Sequence, residues 1–484
     1  MYLGIDIGTT ATKAILVDED QRLMASATNA YAVSSPQPGY AEQHPDTWFD
    51  AVATSLAKLR ADAPKAYAAV SHIGFSGQMH SLVALDESHQ PLRPAMLWND
   101  TRGQAECAIL QHEFADIERL TGAVAMPSFT AAKLLWLKSH EPTTFRNIRY
   151  LLLPKDYVRL KLTGQLATDH SDAAGTQLYD QALRSWSMPV LEGLGIHASR
   201  LPSLLESSEA AGSLRVAMAN ELGLSATTLT CTGGGDTPVG SLGLGCVDFG
   251  DSLVSLGTSC SFTTITQGYQ PTSENCLHNF AFVLPRQWYR MAAMLNGASC
   301  LAWAAQLVGA SDIGALLEAV TARYKGPSRL LFLPYLSGER TPHNNTALRG
   351  ALLGLDSTTD KLDVAQAVLE GVAFSLRDAK QALGIDRTTS QPGFIGGGAR
   401  SKLWSEIVAT VLDMPLTCPE GADYWPALGA ARLAMLCAGG NAADVLRKPA
   451  SASTVEPLNQ WREAYGEKYH RYRKAFAAVA DYSN

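Results

Sequence analysis

Two stretches half a chain apart share one pattern. Residues 3–16 read LGIDIGTTATKAIL, and residues 253–266 read LVSLGTSCSFTTIT. Each is an apolar or β-branched run, a glycine–hydroxyl turn and a second such run, which is the signal of two strands joined tightly. One copy opens each half of a 484-residue chain, too long for a single core. The repeat therefore predicts a duplicated fold with a cleft between its halves. Residues 240–250 (GSLGLGCVDFG) are glycine-rich and stand just before the second copy. They set a boundary near residue 245, dividing the chain into 1–245 and 246–484.

The neighbouring segments alternate in type. A third strand is predicted over about 22–31, after the Asp18-Glu19-Asp20 turn. Residues 45–60 place Trp48, Phe49, Val52, Leu56 and Leu59 at helical spacing, with Asp46 as the expected N-cap. Residues 70–76 form another strand, ending at Gly77. Strands and helices that alternate in this way make an α/β fold. At the far end, 457–480 reads as a mixed-charge amphipathic surface helix packed by Trp461, Tyr465, Tyr469, Tyr472 and Phe476.

A glycine–threonine turn lets the backbone approach a ligand closely and aims free N–H groups at it, a cradle suited to phosphate. A single such turn is more often an ordinary hairpin, whereas two related turns, one per half, favour the phosphate reading. No GxxxxGK[ST] occurs, and no GxGxxG follows a strand, so the P-loop and dinucleotide folds lack their fingerprints. Asp6 sits in an apolar strand, where a carboxylate is costly unless paired or bound to a cation. Beside the first turn it can hold a hydrated magnesium ion. Asp236 follows three glycines in LTCTGGGDTPVG (229–240). It is either a turn former and helix cap or the carboxylate that takes a hydroxyl proton in phosphoryl transfer. Two further stretches draw notice: FIGGGARS (394–401), where a helix can begin near Ala399 and Ser401, and SGQMH (76–80), a strand end carrying His80.

The bulk numbers exclude other classes. With 46% hydrophobic and 18% charged residues the composition is globular. The net charge of −7 is spread along the chain without a basic stripe, which argues against a nucleic-acid partner. No apolar run approaches the roughly 18 residues a membrane span needs, and no signal-peptide pattern opens the chain. Eight scattered cysteines without CxxC spacing point to reduced thiols in a cytoplasmic protein.

Residues 350–370 (GALLGLDSTTDKLDVAQAVLE) and 128–140 (SFTAAKLLWLKSH, centred on Lys133 and Trp136) match two signatures of one family, with Ser139 a minor departure in the second. With SGQMH, LWNDTR (97–102), LLLPKDYVRLKLTG (151–164), SDAAGT (171–176) and FLPYLSGERTPHNN (332–345) in order, the chain resembles the FGGY carbohydrate kinases end to end. The resemblance implies two duplicated actin-like ATPase (ribonuclease H-like) domains with the catalytic cleft between them. It implies ATP and Mg²⁺ as cofactors, a ketopentose as substrate and a homodimer as assembly. Carried over residue by residue, it makes Asp236 the general base and Asp6 the acid that meets Mg²⁺ through water. Thr9, Thr10 and Lys13 become the first phosphate loop, Gly257, Thr258 and Ser259 the second, and Gly397, Gly398 and Ala399 the adenosine loop. Met79 and His80, with Asn99, Asp100 and Arg102, fall on the sugar side. Thr237 departs from the amide common after this acid in related kinases, which bears on sugar choice because a hydroxyl cannot make an amide's set of hydrogen bonds. The alternatives are a family kinase for another ketose or polyol, and an actin-like nucleotide-binding regulatory protein.

Overall fold

In the computed structural model, residues 1–271, 274–385, 391–419, 424–449 and 452–480 are described. The two repeated hairpins nucleate two sheets with the same wiring. In the first, Tyr2–Ile7 pairs antiparallel with Ala11–Val17, which pairs antiparallel with Leu23–Ala30. On its other side Tyr2–Ile7 runs parallel to His72–Gly77, which runs parallel to Leu229–Cys231 and Gly234–Gly235. In the second, Ser252–Leu256 pairs antiparallel with Cys260–Thr266 and parallel with Gly393–Ile395. Trp288–Met294 extends the antiparallel side, and Leu416–Pro419 the parallel side. Each sheet ends in one further antiparallel strand beyond its parallel run, Ala210–Ser213 and Ala452–Val455. The strands expected from sequence fall within a residue or two of these bounds.

The helix expected over 45–60 spans Pro45–Asp62 and buries Trp48, Val52, Leu56 and Leu59, with Phe49 part-buried. Its N-cap is His44, whose Nδ1 accepts from the Asp46 N–H, so Asp46 lies inside the first turn. The reason is Pro45: with no N–H and a fixed φ it takes the first helical position.

The opposite face of the first sheet is covered by a helix from the second half of the chain, Trp425–Cys437. Its backbone rides directly on the strands, because a Cβ on Gly4 would lie 1.9 Å from the Ala427 carbonyl oxygen and one on Gly74 would lie 1.8 Å from that of Ala430. The same helix crosses Asp236–Gly243 at two glycines: a Cβ on Gly243 would meet the Trp425 oxygen, and one on Gly429 the Val239 oxygen, each at 2.0 Å. The short helix that begins with Asp236 is thereby fixed between the two sheets.

The second sheet is backed by Lys361–Leu383 and Lys402–Leu412, and the C-terminal helix Arg462–Val479 closes that core with buried Tyr465, Tyr469 and Tyr472. This last helix is more deeply seated than a surface helix: Lys468 is buried and its ammonium donates to Glu370 and to the Ser328 carbonyl. Among the described residues no helix is long and apolar enough to cross a membrane.

Candidate active site

Parallel pairing aligns the strand ends. Asp6 stands beside Ser76, and Ser76 beside Gly234, across Tyr2–Ile7, His72–Gly77 and Gly234–Gly235. Asp236 emerges two residues later, at the carboxyl edge where α/β sheets bind their ligands. Asp6 is only 8% exposed, and its Oδ1 accepts from the Ser76 hydroxyl at 2.8 Å. Burial raises its pKa, while Ser76 and Lys13, its partner across the hairpin, draw it back. The Asp236 carboxyl is pushed up to about 7, first by burial and then by the negative charge of Asp6. Its Oδ1 accepts from both the backbone N–H (2.7 Å) and the hydroxyl (3.3 Å) of Thr237. The two acids thus share one field at one edge of the sheet, and a carboxyl near 7 is matched to proton transfer at neutral pH.

Of the three glycine-rich turns, the first adjoins this edge, and the second and third pack on each other at Leu256 and Gly257. In the first, Thr10 is exposed, whereas the Thr9 hydroxyl is already engaged, donating towards Gln78 Oε1 (3.5 Å) and accepting from Trp98 Nε1 (2.8 Å). What Thr9 offers a phosphate is backbone rather than hydroxyl. In the second, Thr258 and Ser259 are exposed, and the turn is braced from behind by the Gly297 N–H and Ser299 Oγ, both donating to the Thr258 carbonyl (3.1 and 2.7 Å). The third lies at the end of Gly393–Ile395, where Gly396 (φ 100°) passes so close that a Cβ would sit 2.5 Å from the Leu256 oxygen. Gly397–Arg400 follows as a 3₁₀ turn, and Ser401 caps the next helix through the Trp404 N–H. Gly397 and Gly398 border a cavity of about 600 Å³, walled by Ala298, Leu301, Leu317 and Trp404 among others. Such a largely apolar slot between helices, bordered by the third turn, is of a kind that takes a flat base and its ribose.

Met79 and His80 continue from the central strand. Met79 packs on Gly235, where a Cβ would come within 2.7 Å of its side chain, and its sulfur accepts from Tyr289 of the second sheet at 3.8 Å. His80 Nδ1 lies 2.6 Å from the Gly175 carbonyl. A carbonyl only accepts, so Nδ1 carries the hydrogen. Burial, with Lys133 and His278 nearby, holds the imidazole neutral, its pKa well below the ordinary value. Nε2 is then an acceptor for a ligand hydroxyl.

The LWNDTR segment divides. Asn99 is exposed and its amide makes no hydrogen bond among the described residues. Asp100 and Arg102 leave the sugar-side set. Asp100 has no exposed surface, and its carboxylate takes the Ala41 N–H (2.7 Å) and the Arg102 guanidinium (2.7–3.1 Å). Arg102 also bonds Glu42 at 2.6 Å and lies 3.6 Å over the Tyr40 ring. The family resemblance places all three on the sugar side, but here the two charged groups are engaged with each other, with Glu42 and with the Ala41 N–H, which holds the loop.

Residues 1–243 match the model of the FGGY family of carbohydrate kinases, N-terminal domain, and residues 252–438 match the C-terminal domain of that family. The chain belongs to the FGGY family of carbohydrate kinases. It is 42% identical to the xylulose kinase of Escherichia coli K12 over 441 residues, 90% of each chain. A crystal structure described as a xyloylose kinase from Brucella ovis superposes with a TM-score of 0.95 at 41% identity over 99% of both chains. A gluconate kinase from Lactobacillus acidophilus superposes at 0.91 with 26% identity, covering 99% and 98%.

As an FGGY kinase, an ATP-dependent sugar kinase, the chain gives its family signatures physical content. Glu370 of the second takes the Lys468 ammonium and the Tyr465 hydroxyl (3.1 Å), locking the C-terminal helix. Trp136 of the first lies 5.0 Å from the Arg102 guanidinium, on the side of the Tyr40 platform. The structure also brings forward groups that carried no site role in the sequence reading, although Lys133 and Ser171 lie in stretches it singled out. Tyr289, Ser171 (whose Oγ accepts from the Gly235 N–H at 3.1 Å) and Lys133 all brace the acid and His80 loops. Only Lys133 carried a sequence signal, a cation in an otherwise apolar helix.

Proposed function

We propose that this kinase transfers the γ-phosphoryl group of ATP to D-xylulose, giving D-xylulose 5-phosphate. One observation carries the reading: two acids at the ends of the strands that flank His72–Gly77, the second pushed up to about 7 by burial and by the charge of the first. Asp236 orients the attacking sugar hydroxyl and accepts its proton as transfer proceeds, the positioning role a carboxylate plays in phosphoryl transfer. His80 Nε2 and the Asn99 amide take further sugar hydroxyls, and Met79 packs against the carbon chain. The exposed turns at Thr9–Thr10 and Gly257–Ser259 receive the phosphates through backbone N–H groups and hydroxyls, with Lys13 beside the first. Adenosine occupies the slot at Gly397, Gly398 and Ala399.

The residues present fit Mg²⁺. Asp6 and Asp236 are oxygen donors whose charges raise each other's cost, and one or two carboxylates are the usual protein share for this ion. Asp6 would hold it through water, and when bound the ion neutralises charge on the β- and γ-phosphates. Closure of the two halves, with the paired glycine-crossed helices as the joint, excludes water that would otherwise consume ATP. We further propose a domain boundary near 245, a homodimer and a cytoplasmic setting, the last supported by eight free thiols, six of them buried.

D-xylulose is preferred because the 42% and 41% identical relatives carry that substrate in their names. Thr237 favours a second reading, another ketose, a polyol or a sugar acid, since its hydroxyl is turned to Asp236 rather than to a ligand. An ADP-release assay over D-xylulose, D-ribulose, gluconate and polyols decides between them. The proposal expects the highest kcat/KM on D-xylulose, and a larger value on any other sugar would replace the substrate.

A further inference from the structure

Lys133 is a lysine with no exposed surface, on the first turn of Thr130–His140; among the described residues no carboxylate lies within salt-bridge distance of it, and burial pulls its pKa down to about 7 against the attraction of Asp100. Burying an unpaired charge is expensive. Its ammonium donates instead to two backbone carbonyls, those of Ser128 and, at 2.9 Å, His80. The Thr130 hydroxyl donates to the same His80 oxygen at 3.1 Å.

The held turn is itself strained. His80 has φ 66°, and the Ser81 N–H reaches back to the Met79 carbonyl at 2.8 Å. This is a γ-turn of positive φ, the rare and unfavourable form. Strain of this kind persists only where the surroundings over-determine it. Two donors fix the carbonyl, and the ring is pressed against Gly175, where a Cβ would lie 2.4 Å from Nδ1. Without this turn the chain would leave the strand in extended geometry, and the imidazole would lose its seat on the Gly175 carbonyl.

We propose that Lys133 is a positioning residue for the sugar. Its ammonium ties down the His80 carbonyl and so maintains the strained turn that presents His80 Nε2 to a substrate hydroxyl. The inference rests on the proposed sugar-binding role of His80, and it assigns a task to the lysine of the first family signature.

The test is a double-mutant cycle of Lys133→Met and His80→Ala, read as KM and kcat for sugar and for ATP. Lys133→Met is expected to lower kcat/KM for D-xylulose about 30-fold or more while the KM for ATP stays within about twofold. Combined with His80→Ala it should cost no more than about threefold beyond His80→Ala alone, because one lesion then acts through the other. Losses that multiply, or an equal rise in both KM values, would overturn the proposal. Should Lys133→Met fail to fold, Thr130→Val removes the second donor on the same oxygen. It is expected to lower kcat/KM for the sugar about three- to tenfold, again without adding to His80→Ala. If the wild type prefers another sugar, the substrate reading fails separately and the cycle is run on that sugar, with the same two outcomes deciding the role of Lys133.

Discussion

The two sheets share their wiring but not their chemistry. At the position of Asp6, two residues before the turn glycine, the second sheet carries Ser255. Asp6 faces Lys13 across its hairpin and Ser76 on its parallel neighbour, whereas Ser255 faces Ser261 and Ile395. After the parallel neighbour the first sheet continues into Gln78, Met79 and His80, and the second into Gly396, Gly397 and Gly398. One copy of the fold has been given charges and hydrogen-bonding side chains, and the other has been stripped to backbone beside an apolar slot. A sheet edge that must move a proton needs titratable groups in a restricted dielectric. An edge that must admit polyphosphate needs N–H groups and no anion. On the function proposed above, the repeated sheets frame the cleft, and the differences at equivalent positions divide the labour between them.

Substitutions that erase the difference should cost most where the charge is used. Asp236→Asn keeps the shape and removes the base. It is expected to lower kcat by about 10³-fold with nucleotide affinity nearly unchanged, measured by coupled assay and calorimetry. Near-normal kcat would show that the first sheet does not hold the base. The same variant reports on stability. A carboxyl raised to about 7 favours the folded state most below its unfolded pKa, and that contribution is lost as pH rises towards 7. Asp236→Asn should therefore gain most in melting temperature over wild type at pH 8, less at pH 5 and hardly at all below the unfolded pKa of about 3.9.

Exchanging the equivalent positions sharpens the contrast. Asp6→Ser, which gives the first sheet the residue of the second, should lower kcat about 10²-fold and raise the Mg²⁺ requirement. Ser255→Asp puts a carboxylate beside the second phosphate turn and should raise the KM for ATP about tenfold while leaving the KM for sugar in place. If each swap harms both substrates equally, the division between the sheets is wrong. A pH profile is a milder probe: kcat/KM for the sugar should climb about tenfold per unit below pH 7 and level off above it, as Asp236 loses its proton. Smallest is the glycine pair at the nucleotide slot. A Cβ on Gly398 would lie 2.4 Å from the Leu256 side chain, whereas one on Gly397 meets open space. Gly398→Ala should raise the KM for ATP several-fold and Gly397→Ala hardly at all.

Much of this asymmetry can be read in the sequence, and the part that cannot has a common cause. Asp6 declares itself as a carboxylate in an apolar run, and Asp236 as an acid after three glycines, because backbone signals and burial cost are local. The capping of Pro45–Asp62 by His44 instead of Asp46 turns on one proline. Asp100 and Arg102 look like ligand groups because a charged loop and a buried ion pair have the same letters. What separates them is the Tyr40 platform 3.6 Å away and the Ala41 N–H, both distant in sequence. Trp425–Cys437 was least legible. Its run of alanines and glycine shows small residues but not that they meet Gly4 and Gly74 in the other half of the chain. Long-range packing likewise hid the walls of the nucleotide slot, which are ordinary helical leucines and alanines until the third glycine turn is folded against them.

The most direct test of the division of labour is a crystal structure with D-xylulose, Mg²⁺ and a non-hydrolysable ATP analogue. The account predicts a sugar hydroxyl at hydrogen-bond distance from Asp236, about 2.6–3.2 Å, with the sugar against Met79 and His80 and the adenine in the slot beside Gly397 and Trp404. A sugar seated on the second sheet, or Asp236 turned away from the hydroxyl that faces the γ-phosphate, would contradict it.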